Sequence, residues 1–300
     1  MRDLESPDRV LIGGDSTPAG AQAVGILVDM YSRWVDRGRI LTTNLWSSEL
    51  SKLVANAFLA QRVSSINAVS LLCEKTGADV TEVARAIGMD SRIGGKFLQA
   101  SVGFGGSCFQ KDILNLVYLC EAFGLEEVGQ YWEGVVKMNE LRKTTFVVNI
   151  IESLFNTVDK KKIAILGFAF KKDTCDTRET PAVTVCEGLM KDGAVLHVYD
   201  PKVTKEQALI EFADHGLDRV LDLEKQFKFE AEVKEAVQGA HAVVVLTEWD
   251  AFRGYDYRGF FEIMEKPAFI FDGRNILNHK ELFELGFEVH KIGSPPMKRF

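Results

Sequence analysis

The chain has 300 residues, a formal net charge of −7, and apolar and charged fractions of 46% and 26%. These values are typical of a globular protein of about two domains. Acidic and basic residues are interspersed, which argues against nucleic acid or an anionic membrane as the main partner. The five scattered cysteines lack any CxxC pair, and the five histidines show no ligand spacing. We therefore expect no disulfide framework and no metal site, and a reducing cytosol fits best.

The first 45 residues predict a strand, a helix and a strand. The strands are expected at residues 9–14 and 40–43, and the helix from Ala19 to about Trp34. The opening residues lack the apolar region of a signal peptide, and no apolar run approaches a membrane span. Two strands make a poor sheet by themselves. Residues 1–45 are therefore interpreted as a remnant of a larger nucleotide-binding domain.

Residues 46–159 predict a helical domain. A helical apolar period begins near Leu50 and continues to about Thr76, and a short helix fits residues 80–87. A long helix is expected from about Glu126 to Val158. Such a helix commonly joins domains or forms a subunit interface, so a homodimer or larger oligomer is expected.

Residues 160–300 predict a Rossmann-like parallel sheet. Buried strands are expected at residues 162–167, 196–201, 240–246 and 268–272, with an edge strand at 287–290 and a helix over 181–191. Ligands in such sheets lie beyond the carboxyl ends of the strands. The fold class is thus α/β, with a central helical dimerisation domain between the remnant and this sheet.

A glycine-rich loop at residues 103–107 leads into a helix and is the strongest local signal for chemistry. Ser107 and Gln110 have the spacing of a capping box, which predicts Ser107 as the N-cap and Cys108 as the first helical residue. A helix start stabilises a thiolate, and Asp112 follows one turn later on the same face. This pattern indicates covalent catalysis by Cys108, although a lone cysteine is more often a small buried apolar residue.

Other polar residues have weaker individual signals. Lys52 and Asn56 share a helix face; Lys52 either extends along apolar neighbours to water or pairs with Asp112 to stabilise negative oxygen. Lys171 and Arg274 follow strands and suit phosphate binding, the alternative being a solvated loop. Arg92 and Arg178 are loop cations.

Five segments carry a family resemblance: residues 46–62, 97–112, 166–174, 176–179 and 271–274. Together they resemble the UDP-glucose 6-dehydrogenase family of nucleotide-sugar dehydrogenases across essentially the whole chain. The resemblance implies two successive oxidations of UDP-glucose by NAD at C6, giving UDP-glucuronate through a thiohemiacetal and a thioester on Cys108.

The resemblance also implies roles for individual residues. The catalytic set is Cys108, Lys52, Asn56 and Asp112. The substrate-binding set is Arg92, Phe97, Gln99, Ser101, Gly103, Phe104, Gly105, Phe170, Lys171 and Arg274, with Arg92 reaching the site of a neighbouring subunit. The NAD-binding set is Cys108, Phe109, Gln110, Lys111 and Arg178.

The chain departs from the family pattern in one main respect. Family members begin with a dinucleotide-binding domain carrying G-x-G-x-x-G, and this sequence shows no such motif. The alternative function is therefore a non-catalytic fragment that binds a UDP-sugar or oligomerises without holding NAD. A third hypothesis is the same chemistry on another nucleotide sugar, such as GDP-mannose.

Overall fold

The computed structural model of the chain describes residues 2–299. After a short helix α1 (Arg2–Glu5), the strands β1 (Val10–Gly14) and β2 (Ile40–Asn44) form a two-stranded parallel sheet. Helix α2 (Pro18–Tyr31) connects them. It ends at Tyr31, before the predicted Trp34, and the hydroxyl of the C-cap residue Ser32 donates to the carbonyl of Val28 at 2.7 Å.

Four helices follow and confirm the predicted central helical region. They are α3 (Leu45–Thr76), α4 (Val80–Gly88), α5 (Phe109–Ala122) and α6 (Glu126–Ser153). The expected extension of α6 to Val158 is wrong. Phe155 and Asn156 both have positive φ, a conformation that a right-handed helix cannot include. None of the described helices is both long enough and apolar enough to cross a membrane.

The C-terminal part forms a six-stranded, wholly parallel sheet. Its strands are β3 (Lys162–Leu166), β4 (Val195–Tyr199), β5 (Phe227–Phe229), β6 (Ala242–Val245), β7 (Phe269–Asp272) and β8 (Glu288–Lys291). The spatial order β5-β4-β3-β6-β7-β8 is that of a doubly wound nucleotide-binding fold. From β3 the chain adds β4 and β5 on one side of the sheet, and then returns to add β6, β7 and β8 on the other side. The loops after β3 and β6 therefore flank the crevice in which such sheets bind ligands.

Helix α7 (Pro181–Lys191) was expected, whereas the other helices around the sheet are short and were not. These are α8 (Lys205–Asp214), α9 (Leu223–Gln226), α10 (Val233–Val237), α11 (Tyr257–Ile263) and α12 (His279–Leu285). Strand β5 was also missed, since three residues with one charged member give no clear period. Strand β8 lies at the sheet edge, as predicted.

Two apolar clusters hold the molecule together. The larger one includes both faces of the parallel sheet together with side chains from α3 and α6, such as Ile66 and Ile150. The smaller one joins α3, α5 and α6 around Ala57, Phe104 and Ile113. The loop before α5 therefore lies where the central helices meet the C-terminal sheet.

Candidate active site

Helix α5 begins one residue later than the sequence pattern predicted. Cys108 occupies the N-cap position, and its carbonyl accepts the first helical hydrogen bond, from the N–H of Asp112 at 2.9 Å. No side chain caps this helix start, so the Ser107 capping box is wrong. Ser107 Oγ lies 3.9 Å from Cys108 Sγ instead. The result is an exposed thiol beside uncapped backbone N–H groups.

One turn into α5, Asp112 collects two donors from α3. Lys52 Nζ donates to both carboxylate oxygens at 2.5 and 2.7 Å, and Asn56 Nδ2 donates to one of them at 2.5 Å. The side chain of Asp112 is 2% exposed and that of Lys52 is 58% exposed, so the carboxylate of this ion pair is buried while the lysine remains in contact with solvent. Burial raises the pKa of Asp112, but the hydrogen bonds from Lys52 and Asn56 and the charges of Lys52 and Lys111 outweigh it and lower the pKa overall.

This arrangement leaves a cationic amine and an amide of α3 next to a solvent-filled cavity. A cavity of about 540 Å³ adjoins Lys52 and Asn56 and is bounded on its far side by residues 6–9 and Leu11. An ammonium and an amide N–H are donors suited to a water molecule or to an oxygen that gains negative charge.

The loop before α5 is bonded to the C-terminal sheet. The N–H of Val102 donates to the carbonyl of Gly273 at 2.8 Å, and the N–H of Gly106 donates to the carbonyl of Arg178 at 2.9 Å. The carbonyl of Glu179 and the side chain of Phe170 border Gly105. The central helices and the sheet therefore share this loop.

Arg274 connects three strand ends at the crevice. Its guanidinium donates to the carbonyls of Leu246 at 2.7 Å, Phe170 at 3.1 Å and Gly103 at 3.4 Å, and its Nε lies 3.4 Å from Glu248 Oε2. Burial lowers the pKa of Arg274, while Glu248 and Asp272 act in the opposite direction. Together with Gln99 and Arg85, Arg274 lines a cavity of about 430 Å³. Gly103, Phe170 and Arg274, all expected to bind substrate, are in contact here, whereas Arg85 was not predicted.

The remaining predicted residues lie in three places. Ser101 is buried in the loop, where its N–H donates to Asn67 Oδ1 at 2.8 Å. Lys171 is exposed, with its ammonium 5.2 Å from the centre of the Phe170 ring. Arg92 is exposed and pairs with Asp90, and Phe97 is also exposed, so neither joins the cluster within residues 2–299. Their assignment to substrate stays a prediction.

The residues expected to bind NAD surround the start of α5. Phe109, Gln110 and Lys111 form its first turn. Arg178 is bonded to Asp176 and lies beside the same loop. Hydrogen bonding to Asp176, with smaller contributions from Cys108 and Glu211, raises the pKa of Arg178. A positive side chain and an uncapped helix start together suit an anion.

Sequence reasoning missed two buried asparagines that hold this loop, Asn67 on α3 and Asn139 on α6. The available signal was an amide on the apolar face of each helix. A buried amide costs free energy unless its polar atoms find partners. Both polar atoms of Asn139 are paired, whereas Asn67 Oδ1 is paired and Asn67 Nδ2 has no partner within the described residues.

Models of the UDP-glucose/GDP-mannose dehydrogenase family match two parts of the chain. The central-domain model matches residues 46–141, and the UDP-binding-domain model matches residues 164–279. Similar curated proteins include UDP-glucose 6-dehydrogenase 4 of Arabidopsis thaliana and UDP-glucose 6-dehydrogenase of Bos taurus, each 59% identical over 98% of this chain. The chain spans only 63% and 60% of their respective lengths.

Solved structures show the same fold. A UDP-glucose dehydrogenase from the archaeon Pyrobaculum islandicum matches 98% of this chain and 60% of its own, with a TM-score of 0.79 at 28% identity. An NDP-N-acetyl-D-galactosaminuronic acid dehydrogenase from Methanosarcina mazei Go1 has a TM-score of 0.78 over 98% of this chain and 59% of its own; at 24% identity it supports the fold alone. The chain belongs to the UDP-glucose/GDP-mannose dehydrogenase family.

Proposed function

We propose that this chain carries the thiol and the nucleotide-sugar site of a UDP-glucose 6-dehydrogenase, which oxidises UDP-glucose to UDP-glucuronate with two NAD. The observation that carries the proposal is the uncapped N-terminus of α5, with exposed Cys108 one turn before the Lys52–Asn56–Asp112 cluster. The similarity to enzymes of that name at 59% identity supports the choice of UDP-glucose over GDP-mannose.

In this proposal Cys108 is the nucleophile. Its thiolate adds to the C6 aldehyde of the half-oxidised sugar and forms a thiohemiacetal, and Lys52 and Asn56 donate hydrogen bonds to the resulting oxygen. After the second oxidation the sugar is held as a thioester, which water cleaves to release the carboxylate and the thiol. Asp112 holds Lys52 and Asn56 in place for both steps through the bonds described above.

The nucleotide part of the substrate fits the crevice at the strand ends. Gln99, Arg85 and Arg274 line its cavity, and Lys171 lies on the loop after β3. We place the sugar along Phe104 and Gly105, because residues 101–107 connect Gln99 at the cavity with Cys108 at the start of α5. Arginine and lysine at strand ends are suited to the diphosphate.

The residues present fit part of an NAD molecule. The uncapped start of α5 offers N–H donors from Phe109 and Gln110, and Arg178 adds a positive charge that is 65% exposed. These groups would hold the anionic part of the cofactor beside the thiol. When bound, NAD supplies the acceptor for hydride from C6.

We also propose a cytosolic homo-oligomer. All five cysteines are free, which supports a reducing compartment. Exposed aromatic side chains in the central region, including Trp46 and Phe58 on α3 and Phe123 just after α5, support association between copies of that region.

The test is protection of Cys108 from alkylation. Iodoacetamide is added to the chain with increasing UDP-glucose, and labelling of each cysteine is measured by mass spectrometry. Labelling of Cys108 should fall with UDP-glucose, while labelling of free glutathione added to the same mixture should not change, which excludes an effect of the nucleotide on the reagent. Lys171→Ala should weaken protection, since it removes a diphosphate contact, by about three- to tenfold in the concentration required.

Full labelling of Cys108 at saturating UDP-glucose would overturn the substrate assignment. GDP-mannose in the same assay tests the other nucleotide sugar. NADH formation on addition of NAD and UDP-glucose then separates a catalytic chain from one that only binds the sugar nucleotide, and Cys108→Ser is the control that must abolish UDP-glucuronate formation.

A further inference from the structure

One side chain holds both backbone polar groups of Phe104. Asn139 Oδ1 accepts from the N–H of Phe104 at 2.9 Å, and Asn139 Nδ2 donates to its carbonyl at 3.0 Å. Asn139 lies within α6 and is completely buried. An unpaired N–H or carbonyl in the interior would cost free energy. The two hydrogen bonds therefore fix the position of the Phe104 backbone relative to α6.

The same loop is held from the opposite side by the sheet. Val102 bonds to the carbonyl of Gly273, and Arg274 donates to the carbonyl of Gly103. Gly103 has a φ of +143°, and a Cβ there would lie 3.0 Å from Asn139 Oδ1. The loop therefore approaches α6 as closely as it does only because this residue is glycine.

Phe104 passes this restraint on to α5. Its buried ring packs edge-to-face on Phe109, with ring centres 5.6 Å apart and planes at 82°. Phe109 is the first residue of α5 and follows Cys108 directly. A shift of Phe104 would therefore move the helix start that presents the thiol.

We infer that Asn139 is a positioning residue that holds Cys108 at the start of α5, acting through Phe104 and Phe109. The inference rests on the proposed function for the role of Cys108 as nucleophile. Helix α6 then has a part in the site, although none of the residues expected to touch substrate or cofactor lies on it.

The test compares Asn139→Ala with Asn149→Ala, a matched control on α6 whose side chain makes no hydrogen bond within the described residues. Each ligand-free variant is alkylated with iodoacetamide, and the ratio of the Cys108 rate to the Cys175 rate is measured by mass spectrometry. In Asn139→Ala the ratio should fall about two- to fivefold, since the thiol loses its alignment with the helix start. In Asn149→Ala it should stay at the wild-type value.

A purely structural role would lower the melting temperature and change both cysteine rates together, leaving their ratio unaltered. A folded Asn139→Ala chain with the wild-type ratio overturns the inference. If Asn139→Ala does not fold, the isosteric Asn139→Asp, which keeps the acceptor for the Phe104 N–H, takes its place with the same expected direction.

Hydrogen exchange of the wild-type chain provides a measurement that needs no variant. The Phe104 amide should be protected as well as the amides of α6, and unprotected exchange there overturns the inference. Neither readout needs a nucleotide, so failure of UDP-glucose to protect wild-type Cys108 would count against the proposed function alone.

Discussion

Asp112 is the point at which an amine and an amide from α3 meet the thiol-bearing helix. It is buried, yet its net pKa is lowered, because the donors from Lys52 and Asn56 outweigh the effect of burial. A carboxylate that stays ionised keeps Lys52 and Asn56 oriented throughout the neutral range. The orientation of both donors thus depends on one residue that need not touch substrate.

This carboxylate predicts a specific acid sensitivity. Its folded pKa lies below the unfolded value of about 3.9, so its contribution to stability is complete above that value and is lost as the pH falls through the folded pKa. Asp112→Asn should remove that part of the pH dependence. Urea unfolding between about pH 2 and pH 7 measures it.

Asp218→Asn is the control, because the exposed Asp218 makes no side-chain hydrogen bond within the described residues and its replacement should leave the wild-type curve unchanged. An Asp112→Asn chain whose stability falls with acid as steeply as the wild type would contradict this account.

Helix α3 is the element that relates the thiol site to the rest of the chain. Its first half carries Lys52 and Asn56, its middle carries Asn67, and its last turns carry Glu74. Glu74 Oε1 accepts from the N–H of Gly293, just after β8, and the N–H of Val80 at the start of α4 donates to the Gly293 carbonyl. The end of the sheet is therefore bonded to the end of α3.

Gly293 is required at this junction for two reasons. Its φ is +74°, and a Cβ would overlap the side chain of Val80 and lie 3.0 Å from Ser70 Cβ. Gly293→Ala should destabilise the chain by about 2–4 kcal/mol, combining backbone strain with overpacking. Chemical denaturation measures the loss.

Gly216→Ala is the matched control, because Gly216 has a φ of +70° with no atom within 4 Å of a new Cβ. Only the backbone strain of about 1–2 kcal/mol should appear there. Equal losses in the two variants would show that the contact with α3 and α4 adds nothing.

Across the whole molecule, the central helices and the C-terminal sheet share one apolar core, and a buried ion pair lies at the same junction. Arg142 on α6 is 1% exposed, and its Nη2 lies 2.8 Å from Glu74 Oε1. Its Nε and Nη1 find no protein partner within the described residues. Arg142 thus depends strongly on Glu74 for compensation of its buried charge.

Glu74→Ala should therefore cost about 3–5 kcal/mol in the free energy of unfolding, since it leaves a buried arginine unpaired. Glu133→Ala removes a comparable but exposed helix pair with Lys137 and should cost less than about 1 kcal/mol. Urea unfolding of both variants decides the matter; similar costs would mean that burial does not govern the Glu74 pair.

The class of the fold and the main strands of the sheet could be predicted from the sequence. Short continuous apolar runs such as residues 242–245 are typical of strands buried on both faces of a parallel sheet, and the helix over 181–191 starts with a proline. The sequence also singled out Cys108, Lys52, Asn56 and Asp112, because a reactive group at a helix start and polar residues on an apolar face violate local rules that a purely structural segment obeys.

The contacts that hold those residues could not be predicted from the sequence, because they join segments that are distant along the chain. Lys52 and Asp112 are far apart in sequence, and local spacing carries no information on which partner a lysine finds or which of the two is buried. The capping box at Ser107 was wrong for a related reason: local spacing carries no information on contacts from outside the helix, such as the bond from the Gly106 N–H to the Arg178 carbonyl two residues before the N-cap. Asn139 likewise has a role that only its contact with a loop 35 residues earlier makes visible.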